Sequence, residues 1–385
     1  MCKSVALLSG KGGCGKTTLA LSIASMLSNC GVKVLLIDCD LSTNGATYFY
    51  EEKLSIKKNR ITSFFDLIFN ESLSKFKCVP INDNYDFIPS VTQITKKNTK
   101  TYTYKNDSKF SLYNELCQKY DVILFDCQSG YTDILKLILP YMDVSLMVME
   151  SDAISSAAIR SLYLKIGDII NEKKIYQVFN KASKEEYDIY SKVSGGTVFT
   201  NIETIMFDWK IRKAFSVSQI PDLENTSANY GAQIFNVCNI LFPTESIRNK
   251  IKKFELTLAL HACQEEESII KEKIFSLKND HRSQKGVLSK NIALILPLMC
   301  AILLCFTFLF GVQPDKDFKT IDLLIAPIIL AIVTVIFSFI NIYNTTKEKR
   351  DYEIEVNEYR EELSGLLSEK KELQQRLEAM NDSPN

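Results

Sequence analysis

The sequence contains few of the residues from which metal centres and disulfide frameworks are built. Its 385 residues include only two histidines, His261 and His281. The 11 cysteines are scattered along the chain without a Cys-x-x-Cys pair, so neither a structural zinc site nor a secreted disulfide scaffold is indicated. We therefore expect a reduced, cytosolic main body.

The sequence also lacks an excess of charge of either sign. Its 46 basic residues balance its 46 acidic residues, so there is no overall positive charge to attract nucleic acid or an anionic membrane. This balance argues against a nucleic-acid partner. The first eight residues run directly into a glycine-rich loop, which leaves no room for the apolar region of a secretory signal.

Short apolar runs alternate with helical patterns over residues 1–245. This order predicts βαβ units and an α/β domain with a doubly wound, mostly parallel sheet. The predicted strands are 4–9, 33–38, 85–88, 121–126, 144–150 and 175–180, and the predicted helices are 19–30, 112–119, 132–140 and 155–171.

The chain changes character after residue 245. Residues 246–290 are charged, with apolar residues at helical spacing, which predicts a connector helix. The segments 291–312 and 323–343 then contain no charged residue. Each is about 20 residues long, enough to cross the ~30 Å core of a bilayer as a helix, so we predict a transmembrane hairpin over 291–343. Two buried core helices are the alternative, although such helices rarely stay uncharged on every face.

The charges that flank these segments predict their orientation. Three basic residues precede the first segment and three follow the second, whereas the lysines of the short link are balanced by aspartates. The positive-inside rule then places both ends of the hairpin in the cytoplasm. We accordingly expect a multi-pass protein of the bacterial inner membrane with both termini cytoplasmic. The flanking basic residues are Arg282, Lys285, Lys290, Lys347, Lys349 and Arg350.

The tail at 344–385 has a heptad repeat. Its seam residues are spaced alternately by four and three, and Glu, Lys and Arg are frequent between them. This pattern predicts a cytoplasmic coiled-coil helix that self-associates. A single solvated helix is the alternative, since the seam includes two tyrosines and a lysine. The seam residues are Tyr352, Val356, Tyr359, Leu363, Leu366, Lys370, Leu373, Leu377 and Met380.

A glycine-rich loop at 10–18 is the clearest chemical signal. It lies between a predicted strand and a predicted helix, the context in which a P-loop binds nucleotide phosphates through backbone N–H groups and the helix N-terminus. We expect Lys16 to pair with β- and γ-phosphate oxygens, Thr17 to offer its hydroxyl to Mg²⁺ and Thr18 to reach the α-phosphate. The predicted ATP-contacting residues are Gly10, Lys11, Gly12, Gly13, Cys14, Gly15, Lys16, Thr17 and Thr18.

Lys11 distinguishes this loop from an ordinary P-loop. It stands at the start of the loop, where its side chain would point away from the phosphates of its own subunit. It can then reach a nucleotide held by a facing subunit and stabilise charge there, as an arginine finger does. This predicts a homodimer across the nucleotide, with Lys11 and Lys16 as catalytic residues.

Over about residues 1–245 the sequence resembles the ParA/MinD family of deviant Walker ATPases. After the loop, Val-Leu-Leu-Ile-Asp-Cys-Asp at 34–40 is similar to the family's second motif, and Val-Ile-Leu-Phe-Asp at 122–126 is similar to Walker B. One position departs from the pattern, since Gln128 stands where the family usually has a proline. The geometry of that segment and the turnover rate are therefore open at the level of sequence.

The resemblance implies roles for residues in these motifs. Asp38 would support the magnesium site, Asp40 would position or activate the attacking water, and Asp126 would hold Mg²⁺ through water. With Thr17, these assignments give a metal site of Thr17, Asp38 and Asp126. The base-contacting positions implied in the same way are Asn180, Pro221 and Asp222.

The combined expectation is a membrane-anchored ATPase that hydrolyses ATP with Mg²⁺, slowly until a partner is present. It would dimerise on ATP to recruit, position or regulate an unidentified protein partner. Two fixed spans replace the detachable amphipathic helix with which membrane-bound relatives hold the bilayer, so we expect ATP to control pairing rather than membrane residence. Two alternatives stay open: a membrane effector gated by the ATPase, for example in a defence system, and a bacterial-type protein tyrosine kinase.

Overall fold

The computed structural model describes residues 2–56, 61–69, 75–92, 110, 112–170, 173–190, 199–220, 223, 228–310 and 320–382, with the backbone alone between 282 and 339. The chain divides into two compact units. We call Met1–Glu255 the N-terminal unit and Leu256–Pro384 the C-terminal unit.

The N-terminal unit contains one sheet of eight described strands. They are β1 (Lys3–Leu8), β2 (Val34–Asp38), β3 (Val79–Asn82), β4 (Tyr85–Ile88), β5 (Val122–Asp126), β6 (Val144–Met149), β7 (Lys174–Ala182) and β8 (Thr200–Met206). Their order across the sheet is β3-β4-β2-β5-β1-β6-β7-β8. Every neighbouring pair is parallel except β3 and β4, which are antiparallel.

Helices connect these strands and continue into the C-terminal unit. They are α1 (Lys16–Asn29), α2 (Gly45–Phe49), α3 (Glu51–Ile56), α4 (Phe64–Phe69), α5 (Tyr113–Lys119), α6 (Asp133–Ile138), α7 (Ala153–Ile170), α8 (Lys184–Tyr190), α9 (Trp209–Ser216), α10 (Ala228–Leu241), α11 (Glu245–Phe310) and α12 (Thr320–Asp382).

The central strands are buried on both faces, as expected for parallel strands covered by helices. Along β1, Val5 and Leu7 belong to an apolar cluster that includes α1 and α10, whereas Ala6 and Leu8 belong to a second cluster that includes α4 to α7. Because β1, β2 and β5 are parallel neighbours, their carboxyl ends meet at one edge of the sheet. Ligands bind at this edge in folds of this type.

The mostly parallel, doubly wound sheet confirms the predicted fold class. All six predicted strands are present within one or two residues at each end. Two edge strands, β3 and β8, were not predicted. The reason is their exposure, since neither carries the continuous apolar run that marks a buried strand.

In the C-terminal unit, the heptad seam of the tail packs against α11 of the same chain. Leu366 of α12 lies in one apolar cluster with Cys263, Ile270 and Ile274 of α11, and Tyr359, Leu363 and Leu373 border this cluster. The tail was expected to self-associate, whereas in the structure its seam pairs within the chain. The physical reason is that α11 offers a matching apolar stripe on an antiparallel neighbour.

Polar contacts fix the register of this antiparallel pair. Lys370 donates to Glu267 at 2.7 Å, so the lysine of the seam has an acidic partner on α11. The rings of His281 and Tyr352 stack with centroids 4.2 Å apart and planes inclined by 6°. These contacts lie at opposite ends of the described hairpin and hold it in one alignment.

The structure does not test the predicted transmembrane hairpin directly. Among the described residues, no helix combines the length and the apolar character needed to cross a bilayer. The segments 291–312 and 323–343 lie almost entirely outside the residues whose side chains are described. The hairpin therefore stays a prediction.

Candidate nucleotide-binding site

The loop between β1 and α1 has a left-handed backbone conformation at two glycines. Gly13 and Gly15 have φ angles of 85° and 84°, in the left-handed region that glycine tolerates best. A Cβ on Gly15 would lie only 2.3 Å from Nδ2 of Asn180. This amide donates to the carbonyl oxygen of Cys14 at 2.8 Å. Asn180, predicted to read the base, is thus brought directly beside the loop.

The start of the loop is packed against α7. A Cβ on Gly10 would lie 2.3 Å from the carbonyl carbon of Ala158, so only glycine fits there. A Cβ on Gly12 would meet nothing within 4 Å. Cys14 is buried, and burial raises the pKa of its thiol, which makes it a filler residue rather than a reactive one.

Lys16 is buried and bonded to the Walker B aspartate. Its Nζ donates to Oδ1 of Asp126 at 2.9 Å, and the two side chains are only 6% and 1% exposed. Burial by itself would lower the pKa of Lys16, but the charge of Asp126 and this hydrogen bond together raise it. Lys16 therefore carries a full positive charge inside the site.

The second oxygen of Asp126 suits a metal hydration shell. Asp126 Oδ2 is buried and has no hydrogen-bond partner within the described part of the chain. Thr17 follows Lys16 in the first turn of α1, and a Cβ on Gly45 would lie 3.4 Å from its hydroxyl. Mg²⁺ in nucleotide sites is bound by one or two such protein groups together with phosphates and water. The donor set therefore fits Mg²⁺, although no group of three or more His, Cys, Asp or Glu forms a metal cage among the described residues.

Asp38 lies opposite Asp126 in the register of β2 and β5. Its Oδ2 accepts from the backbone N–H and the hydroxyl of Thr47 at 2.8 and 2.7 Å, and its Oδ1 accepts from the N–H of Asp40 at 3.0 Å. Burial and the charge of Asp126 raise the pKa of Asp38 to about 7. Two buried carboxylates side by side favour the arrival of a cation between them.

Asp40 shapes the turn that follows β2. Its Oδ1 accepts from the N–H groups of Ser42 and Thr43 at 2.9 and 2.8 Å, and its Oδ2 accepts from the Thr43 hydroxyl at 2.5 Å. Both oxygens are thus engaged in the turn. A carboxylate oxygen can accept two hydrogen bonds, so Oδ2, which has one donor among the described residues, can still accept from a water molecule.

Lys11 lies at the mouth of the loop, bonded to residues of its own chain. Its Nζ is 3.0 Å from Glu150 and 2.9 Å from Asp152, at the junction of β6 and α7. These bonds raise the pKa of Lys11 and contribute to lowering that of Asp152.

Asp152 also accepts from the N–H and hydroxyl of Ser155 at 2.8 Å each, which caps α7. Lys181 shares Glu150, at 2.9 Å, and donates to the carbonyl oxygen of Gly13.

A cavity of about 400 Å³ opens beside the loop, between β7, β8 and α9. Gly15, Thr18 and Asn180 line one side of it, which brings three predicted site residues to one pocket. Its other lining residues were not predicted from the sequence. They are Lys181, Met206, Phe207, Asp208, Ile211, Arg212, Phe215 and Tyr230.

Of the three expected base-contacting residues, the cavity includes Asn180. Pro221 and Asp222, which resemble the family's base loop, lie outside the described residues. The segment that borders the cavity is instead Phe207-Asp208, which directly follows β8. Like Pro221-Asp222, Phe207-Asp208 is an apolar residue followed by an aspartate. This similarity was missed because β8, which precedes Phe207, was not recognised from the sequence.

The segment after β5, where Gln128 departs from the family pattern, is tied to the end of β1. Ser129 and Ser9 share a hydroxyl hydrogen bond at 3.0 Å, and the N–H of Gly130 donates to the carbonyl oxygen of Ser9 at 2.8 Å. Gln128 is partly exposed between these contacts. The segment is therefore held beside the glycine loop without the proline.

Comparisons with known proteins agree with this geometry. A family model described as an AAA domain matches residues 2–179. The septum site-determining protein MinD of a Synechocystis species is 27% identical over 135 residues, which are 34% of this chain and 46% of that protein. The sporulation initiation inhibitor protein Soj of Bacillus subtilis is 27% identical over 131 residues, 33% of this chain and 50% of Soj. The chain thus spans about half the length of these curated relatives.

A solved structure extends the comparison to the whole N-terminal unit. A plasmid partition protein of Borrelia burgdorferi bound to AMPPNP matches with a TM-score of 0.51 and 20% identity, covering 63% of this chain and 99% of that protein. At this identity the match supports the fold. In sequence motifs and in fold, the N-terminal unit is therefore similar to ParA/MinD-type P-loop ATPases.

Proposed function

We propose that this protein is a membrane-anchored ATPase switch. It binds and hydrolyses ATP with Mg²⁺, and it dimerises on ATP to recruit, position or regulate a protein partner. The observation that carries the proposal is the bonding of Lys11 and Lys16. Both loop lysines are held by carboxylates that phosphate groups can replace.

Lys16 is the element that responds to nucleotide in its own subunit. It would exchange Asp126 for the β- and γ-phosphate oxygens of ATP, as the lysine of a P-loop does. Asp126 would then be left to the water shell of Mg²⁺, which supplies charge neutralisation at the phosphates. Because Asp126 lies in register with Asp38, this exchange would reach the turn of Asp40 through the Asp38–Asp40 hydrogen bond.

Lys11 is the element that responds to a second subunit. Its side chain and those of Glu150 and Asp152 are each between 29% and 41% exposed. Ion pairs at such exposure are weak and are screened by salt. The phosphate charge of a nucleotide in a facing subunit can therefore compete for Lys11. This competition makes pairing depend on ATP and completes the site only in the dimer.

The names of the relatives support the general class of function. MinD is a septum site-determining protein and Soj is an inhibitor of sporulation initiation, and both names describe positioning or regulation rather than metabolism. We extend to this chain only the idea of a switch that acts on another protein.

Anchoring by two spans is supported by the alignment of the C-terminal unit. His281 and Tyr352 lie 36 and 35 residues on either side of residue 317, and Glu267 and Lys370 lie 50 and 53 residues on either side of it. The uncharged segments 291–312 and 323–343 are centred on the same residue. The contacts of the antiparallel pair and the two uncharged segments thus share one centre, as a hairpin of two helices requires.

Crosslinking of the full chain tests the switch. Lys11→Ala should lower ATP-dependent dimerisation and leave nucleotide binding by the monomer largely intact, because Lys11 Nζ bonds Glu150 and Asp152, and neither of them lines the cavity beside the loop. Lys33→Ala, which removes an exposed lysine of the same unit, is the matched control. Unchanged ATP-dependent crosslinking of the Lys11→Ala protein would exclude the proposed role of Lys11.

A further inference from the structure

The outer side of α9 exposes large apolar residues, of which Trp209 and Val217 do not line the cavity beside the glycine loop. Trp209, the single tryptophan of the chain, is 63% exposed. Phe207 just before the helix is 47% exposed, and Val217 just after it is 60% exposed. Exposed aromatic side chains of this size commonly mark a binding surface.

The same helix is basic. Lys210, Arg212 and Lys213 are all exposed, and α9 contains no acidic residue. Asp208, which precedes it, accepts from the N–H of Lys210 at 2.7 Å and so caps the helix. The guanidinium of Arg212 lies 5.2 Å from the centre of the Trp209 ring. Basic and apolar groups thus alternate on one exposed surface.

We propose that this surface docks on anionic phospholipid headgroups. We define the α9 surface as Trp209, Lys210, Lys213 and Val217, and Phe207 lies between this surface and the cavity. Tryptophan and phenylalanine insert at the boundary between headgroups and acyl chains, and lysines beside them bind anionic headgroups. Single-stranded nucleic acid also favours aromatic and basic residues. The exposed Val217 cannot stack on a base, and this favours lipid.

The inner side of α9 couples this surface to the nucleotide. Ile211, Arg212 and Phe215 line the cavity beside the glycine loop. Phe215 also contacts Phe49 of α2, with ring centroids 5.2 Å apart, and α2 follows the turn that Asp40 shapes. One short helix therefore touches the cavity with one face and presents the α9 surface with the other. Any change that nucleotide makes in lipid binding is then matched by an equal change that lipid makes in nucleotide binding.

This inference goes beyond the proposed function, because neither ATP hydrolysis nor anchoring by the two spans requires it. A chain held by its spans can dock or release its N-terminal unit while staying in the membrane. Docking would orient the unit on the bilayer and set the geometry in which two units meet. The nucleotide would then control orientation as well as pairing.

Tryptophan fluorescence of the full chain tests the proposal, because Trp209 is its only tryptophan. The chain is reconstituted in vesicles of phosphatidylcholine alone or with phosphatidylglycerol, with and without doxyl-labelled lipid. We expect the emission to move to shorter wavelength and to be quenched by doxyl lipid only in the anionic vesicles.

Lys210→Glu/Lys213→Glu should weaken docking by about 25-fold or more, since each basic residue near an anionic surface contributes about fivefold. The matched control is Lys33→Glu/Lys252→Glu, which changes the same charge at exposed sites of the same unit.

Two outcomes would overturn the proposal. One is an emission that is the same in both vesicle types, or an equal response of the two charge variants. The other is a shift caused by a single-stranded oligonucleotide in neutral vesicles, with no response to anionic lipid, which would assign the surface to nucleic acid. Resistance to alkaline extraction and ATP hydrolysis are measured on the same samples, so failure of the spans or of the ATPase is distinguished from failure of α9 to dock.

Discussion

At the scale of the residue, Lys11 is held in place by groups that its own subunit supplies. Glu150 and Asp152 bond it at 3.0 and 2.9 Å, whereas the proposed dimer needs it to reach a nucleotide of the facing subunit. Pairing on ATP must therefore release Lys11 from these carboxylates. The strength of this intrachain hold sets how much nucleotide is required before two subunits pair.

The hold can be weakened without removing Lys11. Asp152→Asn removes the negative charge but keeps a side-chain oxygen for the N–H of Ser155, so the cap of α7 is preserved. We expect dimerisation at an ATP concentration about two- to fivefold lower, the size of effect typical of exposed ion pairs. Crosslinking of the full chain across an ATP titration measures this. Asp133→Asn, at an exposed aspartate of α6, should change nothing, and weaker pairing of Asp152→Asn would show that Asp152 acts across the interface instead.

The glycine loop offers a second residue-scale prediction through two alanine substitutions. Gly15→Ala should lower the free energy of unfolding by at least about 1–2 kcal/mol, the cost of a left-handed backbone for an L-residue, because Gly15 has φ 84° and its Cβ would meet Asn180 at 2.3 Å. Gly12→Ala should have little effect, since a Cβ there meets nothing within 4 Å. Denaturant unfolding measured without nucleotide separates the two. Equal losses of stability would mean that the loop relaxes around either side chain.

At the scale of the element, the pairing of α11 with α12 depends on a charge inside the seam. Glu267 accepts from Lys271 at 2.5 Å and from Lys370 at 2.7 Å, and these hydrogen bonds lower the pKa of Glu267 to about 2. A carboxyl whose pKa is lower in the folded state than in the unfolded state stabilises the fold above the unfolded pKa. This stabilisation is lost as the pH falls through the folded value.

Glu267→Gln should therefore lower the melting temperature of the helical hairpin near neutral pH. The difference from the unchanged chain should shrink as the pH falls below about 4.5, where the unfolded carboxyl becomes protonated, and should vanish only below about 2, where the native carboxyl is protonated too. Circular dichroism of the full chain in detergent measures it. Glu372→Gln is the control, since Glu372 pairs with Arg376 on the same helix and does not join α12 to α11. A difference that is constant with pH would show that packing, not charge, is responsible.

Elements differed in how far the sequence could predict them. The strands β1, β2 and β5 were predictable because consecutive buried apolar residues end in a recognisable motif. In β3 only Val79 is buried, and in β8 only Thr204 and Ile205 are, so periodicity gave no signal for these edge strands. The partner of the heptad tail was not predictable either, since an a/d seam does not specify whether its complement lies in the same chain.

The same limit applies to the candidate site. The loop, Asp38, Asp40 and Asp126 follow directly from motifs at strand ends. The bonds of Lys11 to Glu150 and Asp152 do not, because they join residues about 140 positions apart whose proximity depends on β1 and β6 being neighbours in the sheet. Part of the lining of the cavity beside the loop was missed for a related reason. Phe207 and Asp208 directly follow β8, and β8 was not recognised from the sequence.

At the scale of the whole molecule, the proposed function separates membrane residence from pairing of the subunits on ATP. The two uncharged segments would hold the chain in the bilayer permanently, whereas the glycine loop would control whether two N-terminal units pair. Partners confined to a surface meet at a raised effective concentration, so a modest ATP-dependent contact is enough to shift the balance between single and paired units.

This separation predicts that membrane residence is independent of nucleotide. The fraction of full chain that resists alkaline extraction should be the same with ATP, with ADP and with neither, while the crosslinked fraction rises with ATP alone. Lys16→Ala should abolish the rise in crosslinking, because Lys16 is the charge that meets the phosphates, and should leave the extraction result unchanged. Deletion of 291–343 should release the chain from the membrane. A membrane fraction that follows the nucleotide would instead mean that the contact of the N-terminal unit with lipid, and not a pair of spans, holds the protein there.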